Sequence, residues 1–239
     1  MPEIRKEFVM ITINDKWVLL TGASRGIGKQ VAMALAQKGC KLILHSRKNE
    51  HTASMVHGLR SQGLVAHQLE AELSDQKQVL RLAQKALSIS GGIDILYNNA
   101  GLGMPFHEDI FAVSKDEYDT CFQVNTIAPI TLCGMMLPGM LKRKFGRIVN
   151  VTSGIKDQPQ LMAYAASKAA LDKYVHDIAA SLSGTGVLMN LLDPGWLRTD
   201  LGGTMAPNPV ESVLPGALVP VLLDDDTCGK LFSAQEYRR

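Results

Sequence analysis

The sequence has little cysteine, little net charge, no linker-like segment and no long uninterrupted apolar run, and each shortage removes a class of protein. Its 239 residues include four cysteines, Cys40, Cys121, Cys133 and Cys228, with no CxxC pair and no histidine cluster at zinc-ligand spacing. That argues against a disulfide framework and a zinc module, assigns no metal, and points to a reducing, cytoplasmic compartment. The formal charge is +2 and the basic residues are scattered, so no nucleic-acid surface is expected. The opening MPEIRKEFVMITIND lacks the apolar core of a signal peptide. The longest apolar stretch, 127–141, is shorter than a membrane span and carries Pro129 and Pro138, so no membrane partner is expected. Without a Pro/Gly/Ser-rich linker or an internal repeat, the chain reads as one domain over 14–239, preceded by a loosely constrained extension at 1–13.

What is present is an alternation of short apolar runs and helical patterns. Runs at 17–20, 42–44, 64–69, 93–97, 147–151 and 187–192 predict six strands. Between the first two, Ile27, Val31, Ala34 and Leu35 recur at helical spacing before a stop at Gly39. Further helices are predicted over 51–62 and, capped by Ser74-Asp75, through 87. The strands are continuous apolar runs rather than alternating ones, which marks a parallel sheet covered on both faces. The expected fold is α/β: a doubly wound parallel sheet, Rossmann-like, in a single domain. An irregular Gly- and Pro-rich stretch at 199–216 is long enough to be a lid over a site.

The first strand runs into Thr21-Gly22-Ala23-Ser24-Arg25-Gly26-Ile27-Gly28 and then directly into a helix. Glycines at such a turn let the backbone approach a pyrophosphate, and the helix start offers unpaired N–H groups. The GK[ST] ending of an ATP-binding P-loop is missing, so dinucleotide binding is favoured over that reading and over a turn that needs glycine for geometry alone. The second strand ends in His45-Ser46-Arg47-Lys48, without the acidic residue that would hydrogen-bond an NAD ribose. Arg47, Arg25 and Ser46 could instead meet a 2′-phosphate, which predicts NADP(H) over NAD(H). The alternative leaves Arg47 and Lys48 solvated and gives the ribose to Glu50.

Tyr164 and Lys168 lie four apart in a strong helix former, hence on one face. A tyrosine with an ordinary pKa of about 10 is a poor acid or base near neutrality, and an adjacent ammonium would lower it. Such a pair alone is weak evidence. It gains weight because Asn150-Val-Thr-Ser153 and Asn98-Asn99-Ala100-Gly101 bring polar groups to the carboxyl edge of the sheet, with Asn125 in the next helical stretch.

TGASRGIG at 21–28, NNAG at 98–101, Ser153, YAASK at 164–168 and Asp193-Pro194-Gly195, in that order, resemble the short-chain dehydrogenase/reductase family, in its single-domain branch of about 250 residues. The resemblance runs from 14 to about 200. It implies that Tyr164 is the general acid in reduction and the base in oxidation, and that Lys168 orients the nicotinamide ribose and depresses the tyrosine pKa. It implies that Ser153 binds the substrate oxygen, with Thr152 a competing assignment because Ser153 precedes Tyr164 by only eleven residues. Asn125 would hold a water for proton relay. The cofactor would lie against Gly22, Ser24, Arg25, Ile27 and Gly28, against Ser46 and Arg47, and against Glu72 and Leu73 near the adenine. Asn99, Ala100 and Gly101 would flank it, with Pro194, Gly195, Leu197 and Thr199 closing over the nicotinamide.

The stretches 121–141 and 165–182 are apolar around more of their circumference than one buried face requires. The family resemblance implies that the corresponding helices pair across a twofold to build a homodimer or homotetramer; the alternative is that they are deeply buried within one monomer. Lys142, Arg143, Lys144 and Arg147 are read as capping a helix C-terminus, with an acidic carrier protein as the lesser alternative. The chain is therefore expected to be an NADP(H)-dependent carbonyl reductase or alcohol dehydrogenase acting on a small molecule, with Leu201, Met205 and Pro207 offering it an apolar lining. The other readings are a 3-oxoacyl-carrier-protein reductase and, in another class, a non-catalytic NADP(H)-binding sensor or scaffold.

Overall fold

The computed structural model describes residues 10–237. Seven strands, β1 (Trp17–Leu20), β2 (Lys41–Ser46), β3 (Ala66–Glu70), β4 (Ile95–Asn98), β5 (Gly146–Val151), β6 (Val187–Asp193) and β7 (Leu231–Ser233), form one sheet in the order β3-β2-β1-β4-β5-β6-β7. Every neighbouring pair is parallel. The strand order reverses between β1 and β4, which opens a crevice at their carboxyl ends.

The continuous apolar runs are explained by two cores. On β1, Val18 and Leu20 point into one core with Val31 and Leu35 of helix α1 (Gly26–Gln37) and Val56 of α2 (Glu50–Ser61). Leu19 points into the other, with Val79 and Leu82 of α3 (Gln76–Ser90). Burying each such side chain contributes about 1.5–3 kcal/mol, so neither face tolerates a polar residue without a partner. Asp75 is the N-cap of α3 and accepts from the backbone N–H groups of Lys77 and Gln78.

Helix α4 (Lys115–Phe122), a π-helical turn (Gln123–Ile127) and α5 (Ala128–Arg143) run on without a break. The combined helix, Lys115–Arg143, is longer than the apolar stretch read from the sequence, and by length and composition it could cross a membrane. Leu132, Cys133, Met136 and Met140 are nevertheless buried in the second core, which makes it a packing helix of the sheet. The remaining α-helices are α6 (Met162–Leu182) and the short α7 (Val219–Leu222).

Four sequence expectations are corrected. The strands number seven, because Leu231–Ser233 pairs with β6 through Leu191↔Leu231. Residues 1–9 of the expected extension lie outside the described residues, but 10–13 belong to the body: Met10 bridges Leu223, the Ile11 N–H donates to the Leu222 carbonyl at 2.9 Å, and Ile13 is buried. The stretch 199–216 is irregular only as far as Pro209; a 3-10 turn, Val210–Val213, follows. Arg147 caps no helix, being buried in β5 and donating to the Gly146, Gly186 and Leu223 carbonyls.

Candidate active site

A cleft of about 770 Å³ lies along the carboxyl edge of β1, β2, β4 and β5. Its floor is the turn between β1 and α1. Gly22 and Gly26 adopt φ of +65° and +54°, open to glycine and strained for other residues. A Cβ on Gly28 would stand 2.1 Å from the Gly22 carbonyl oxygen, so that position excludes any side chain. Unlike α3 and α4, α1 has no side-chain cap, and its first turn carries no acidic residue. Its first N–H groups are left for an outside acceptor, and the helix dipole favours an anion there.

The turn is braced by Thr21 and Asn99 through contacts that spacing along the chain does not reveal. The Thr21 hydroxyl accepts from the N–H groups of Asn99 and Ala100, each at 3.0 Å. The Asn99 amide donates back to the Thr21 and Gly22 carbonyls at 2.9 and 3.0 Å. Asn99 thus holds the glycine turn, while Ala100 and Gly101 line the cleft.

His45, to which the sequence reading assigned no role, closes the same network from β2. Its Nδ1 lies 3.3 Å from the Gly22 N–H and its Nε2 lies 3.0 Å from the Ala71 carbonyl. Only the tautomer with the proton on Nε2 satisfies both. Burial pushes the ring's pKa down to about 4, so it stays neutral in the folded chain across most of the acid range. In the unfolded chain the ring charges below about pH 6.5, so the unfolded state takes up the extra proton and stability falls as pH drops from 6.5 to 4. The loss attributable to His45 is about 3 kcal/mol. Urea unfolding at both pH values should show a fall smaller by about that amount in His45→Asn; an equal fall would remove His45 from the acid sensitivity.

At the adenine end, Ser24, Arg25, Ile27, Arg47, Glu72 and Leu73 all line the cleft, as expected. Arg25 forms an exposed ion pair with Asp200, Nε to Oδ2 at 2.9 Å, which ties the glycine turn to the 199–209 loop. Ser46 is not a free donor: its hydroxyl already donates to the Lys48 carbonyl at 2.7 Å. Lys48 pairs with Glu50 at 3.7 Å, and Glu50 does not line the cleft, which weakens the ribose role weighed for it. The Glu72 carboxylate accepts from the Ser74 N–H at 3.2 Å.

At the other end, α6 presents Tyr164 and Lys168 to the cleft from one face. The expected lowering of the Tyr164 pKa is corrected. Burial holds this phenol above its ordinary value, against an opposing hydrogen bond with Ser153. The physical reason is that the phenol itself is buried, while Lys168, whose Nζ donates to the Val151 carbonyl at 2.7 Å, lies 6.0 Å from the Tyr164 ring centre. Burial lowers the Lys168 pKa to about 8, with Asp172, one turn further along α6, pulling it upward. Of the two competing hydroxyls, Ser153 interacts with the phenol and accepts from the Ile155 N–H at 3.3 Å but does not line the cleft, whereas Thr152 lines it with a buried Oγ1 that has no hydrogen-bond partner among the described residues.

Asn125 sits in the π-helical turn, a feature that recurs at functional sites. Its carboxamide accepts from the Leu102 N–H and donates to the Leu102 carbonyl and to Ser167, so it braces the loop beside Lys168. Pro194 and Thr199 line the cleft, but Leu197 is buried in the first core and cannot close over a ligand with its side chain. Gly195 adopts φ of +79° and does not line the cleft.

The model of the short chain dehydrogenase family matches residues 16–209. The chain belongs to that family, and it is an oxidoreductase by that membership. It is 36% identical over 191 residues to a ketoacyl reductase, HetN, of Nostoc sp., covering 79% of this chain and 66% of the relative. It is 32% identical over 199 residues to an NADP(+)-dependent L-rhamnose 1-dehydrogenase of Thermoplasma acidophilum, covering 80% and 76%. Among solved structures, a 3-oxoacyl (acyl-carrier-protein) reductase from Agrobacterium tumefaciens C58 with NADP bound superimposes with a TM-score of 0.83 at 26% identity, covering 92% of this chain and 93% of that one.

Proposed function

We propose that the chain is an NADP(H)-dependent carbonyl reductase or alcohol dehydrogenase. The observation that carries this is a single cleft that holds an uncapped helix start and two arginines at one end and the Tyr164/Lys168 pair at the other. The Gly22–Gly28 turn fits a pyrophosphate, since a Cβ at either glycine would meet backbone within 3 Å. Arg47, for which no ion pair is found among the described residues, fits a 2′-phosphate, with Arg25 beside it once released from Asp200. When bound, the nicotinamide supplies or accepts the hydride.

The chain's own residues handle the proton and the developing charge. Tyr164, protonated at neutral pH because burial raises its pKa, donates to the substrate oxygen. Ser153 adds a hydrogen bond to that oxygen, and the buried Lys168 ammonium places a positive charge beneath it. Asn125 and Ser167 hold Lys168 and Leu102 in register; the Ser167 hydroxyl also donates to the Tyr164 carbonyl at 2.7 Å. Ala100 and Gly101, with Pro194 and Thr199, form the walls against the cofactor. A homodimer or homotetramer in a reducing, cytoplasmic compartment completes the reading. It is supported by four free thiols and by Ile127 and Leu141, which are partly exposed on the long helix.

The ketoacyl-reductase reading has the names of relatives in its favour but not the basic cluster. Lys142, Arg143 and Lys144 end α5 just before β5 begins, at the edge of the sheet opposite the cleft. Arg143 also donates to the Ile93 carbonyl. Binding proteins without turnover usually lose the tyrosine or the lysine, and both are present here. Mixing the protein with NADPH or NADH and a panel of aldehydes and ketones should give loss of nicotinamide absorbance, faster with NADPH. No turnover across the panel with nucleotide bound would overturn the enzyme reading in favour of the sensor.

A further inference from the structure

We propose that the substrate half of the cleft takes a bulky, uncharged, lipophilic carbonyl compound or alcohol and rejects sugars and carboxylates. This rests on the oxidoreductase reading above and names its substrate class.

The first observation is where the exposed apolar side chains lie. Phe106 and Phe111 (60% and 90% exposed), Met162, Trp196, Leu201 and Met205 (83% exposed) all sit on segments that follow β4, β5 or β6 at the cleft edge. Those segments touch one another. The His107 N–H donates to the Gln160 carbonyl at 3.2 Å, and a Cβ on Gly103 would stand 2.3 Å from Leu201 Cδ1. Leu201 itself lines the cleft, with Leu102, Val124 and Val210. Isolated exposed apolar residues need no explanation, but a concentration around one opening marks a surface that is covered in use.

The second observation is that the polar groups of this half are already occupied. Arg198 donates to the Ala206 and Pro207 carbonyls at 3.1 and 3.0 Å. The Thr199 hydroxyl accepts from the Gly202 N–H, the Thr120 hydroxyl donates to the Asp116 carbonyl, and Asp200 is paired with Arg25. The Trp196 indole N–H donates to the Gly202 carbonyl at 2.7 Å, so the ring offers only its apolar surface. Tyr164, Ser153 and Thr152, whose buried Oγ1 has no hydrogen-bond partner among the described residues, are then the groups left for a substrate oxygen. A sugar entering here would give up hydration of several hydroxyls and find partners for one or two, and a carboxylate would meet cations, Arg198 and Lys168, that already donate to backbone carbonyls.

The test is a homologous series of 2-alkanones from 2-butanone to 2-undecanone, with L-rhamnose and pyruvate as polar probes. Trp196 fluorescence, read in a Trp17→Phe background without nucleotide, reports binding; NADPH consumption for the ketones and pyruvate, and NADP+ reduction for L-rhamnose, report kcat/KM. Both should improve about three- to fourfold per methylene until the rim is covered. The polar probes should fall at least about 100-fold below the best ketone in kcat/KM. Leu201→Ser and Met205→Ser should flatten the dependence on chain length. A flat series in fluorescence and turnover, an unchanged slope in both variants, or L-rhamnose ahead of the long ketones would overturn the proposal and leave the oxidoreductase reading intact. If fluorescence follows chain length while no probe is turned over, the lipophilic rim stands and it is the enzyme reading that falls.

Discussion

Tyr164→Phe is expected to lower turnover by about 100- to 10,000-fold, the usual contribution of a positioned proton donor, while NADPH binding and thermal stability stay near wild type. The ring packs where it did, because only the hydroxyl is removed, and that hydroxyl contacts Ser153 rather than the core. The loss should appear in kcat and kcat/KM together, since the missing interaction is made as charge develops on the substrate oxygen. The pH profile supplies a second readout. Burial keeps the Tyr164 phenol protonated at neutral pH, and Lys168 keeps its charge below about pH 8. Carbonyl reduction needs both protons in place, so its rate should hold at neutral pH and decline above about pH 8. Alcohol oxidation needs the phenolate and should rise with pH over the same range. A Phe variant retaining near-full activity would show that the proton comes from elsewhere.

The correction at Tyr164 shows where local reading stops. Spacing of four residues does put Tyr164 and Lys168 on one helical face, and both reach the cleft. What spacing cannot convey is that β5 ends beside them and that its Val151 carbonyl captures the ammonium. The glycine turn was readable because every residue it needs lies within eight positions. Its braces were not, because Thr21 meets Asn99 and Gly22 meets His45 only after β4 and β2 are laid against β1. The strands followed the same division. β1, β2 and β5 are apolar runs buried on both faces, whereas β7 is three residues long with only Phe232 buried, and its place comes from register against Leu191. Asp200 was invisible for the reason His45 was: its partner lies at the far end of the chain in sequence and across the cleft mouth in space.

Replacing both Arg25 and Arg47 by Ala should weaken NADPH binding by about 100-fold or more and leave NADH binding nearly unchanged. Each guanidinium can offer a 2′-phosphate a charge-assisted, two-pronged hydrogen bond, and NADH has no group in that place to lose. The two single variants should not contribute equally. Arg47 lines the cleft with no ion pair found for it among the described residues, so Arg47→Ala removes a contact that was waiting for the phosphate. Arg25 must first leave Asp200, and part of its attraction to the phosphate is offset by that exchange. Asp200→Asn should therefore tighten NADPH binding by up to about fivefold, the worth of an exposed ion pair, and should do so only while Arg25 is present. Titration of these four variants, and of Asp200→Asn combined with Arg25→Ala, with NADPH and NADH, followed by nicotinamide fluorescence, separates these effects. Equal losses for the two nucleotides would mean that the arginines serve the pyrophosphate or the fold, and the preference for NADP(H) would have to be abandoned.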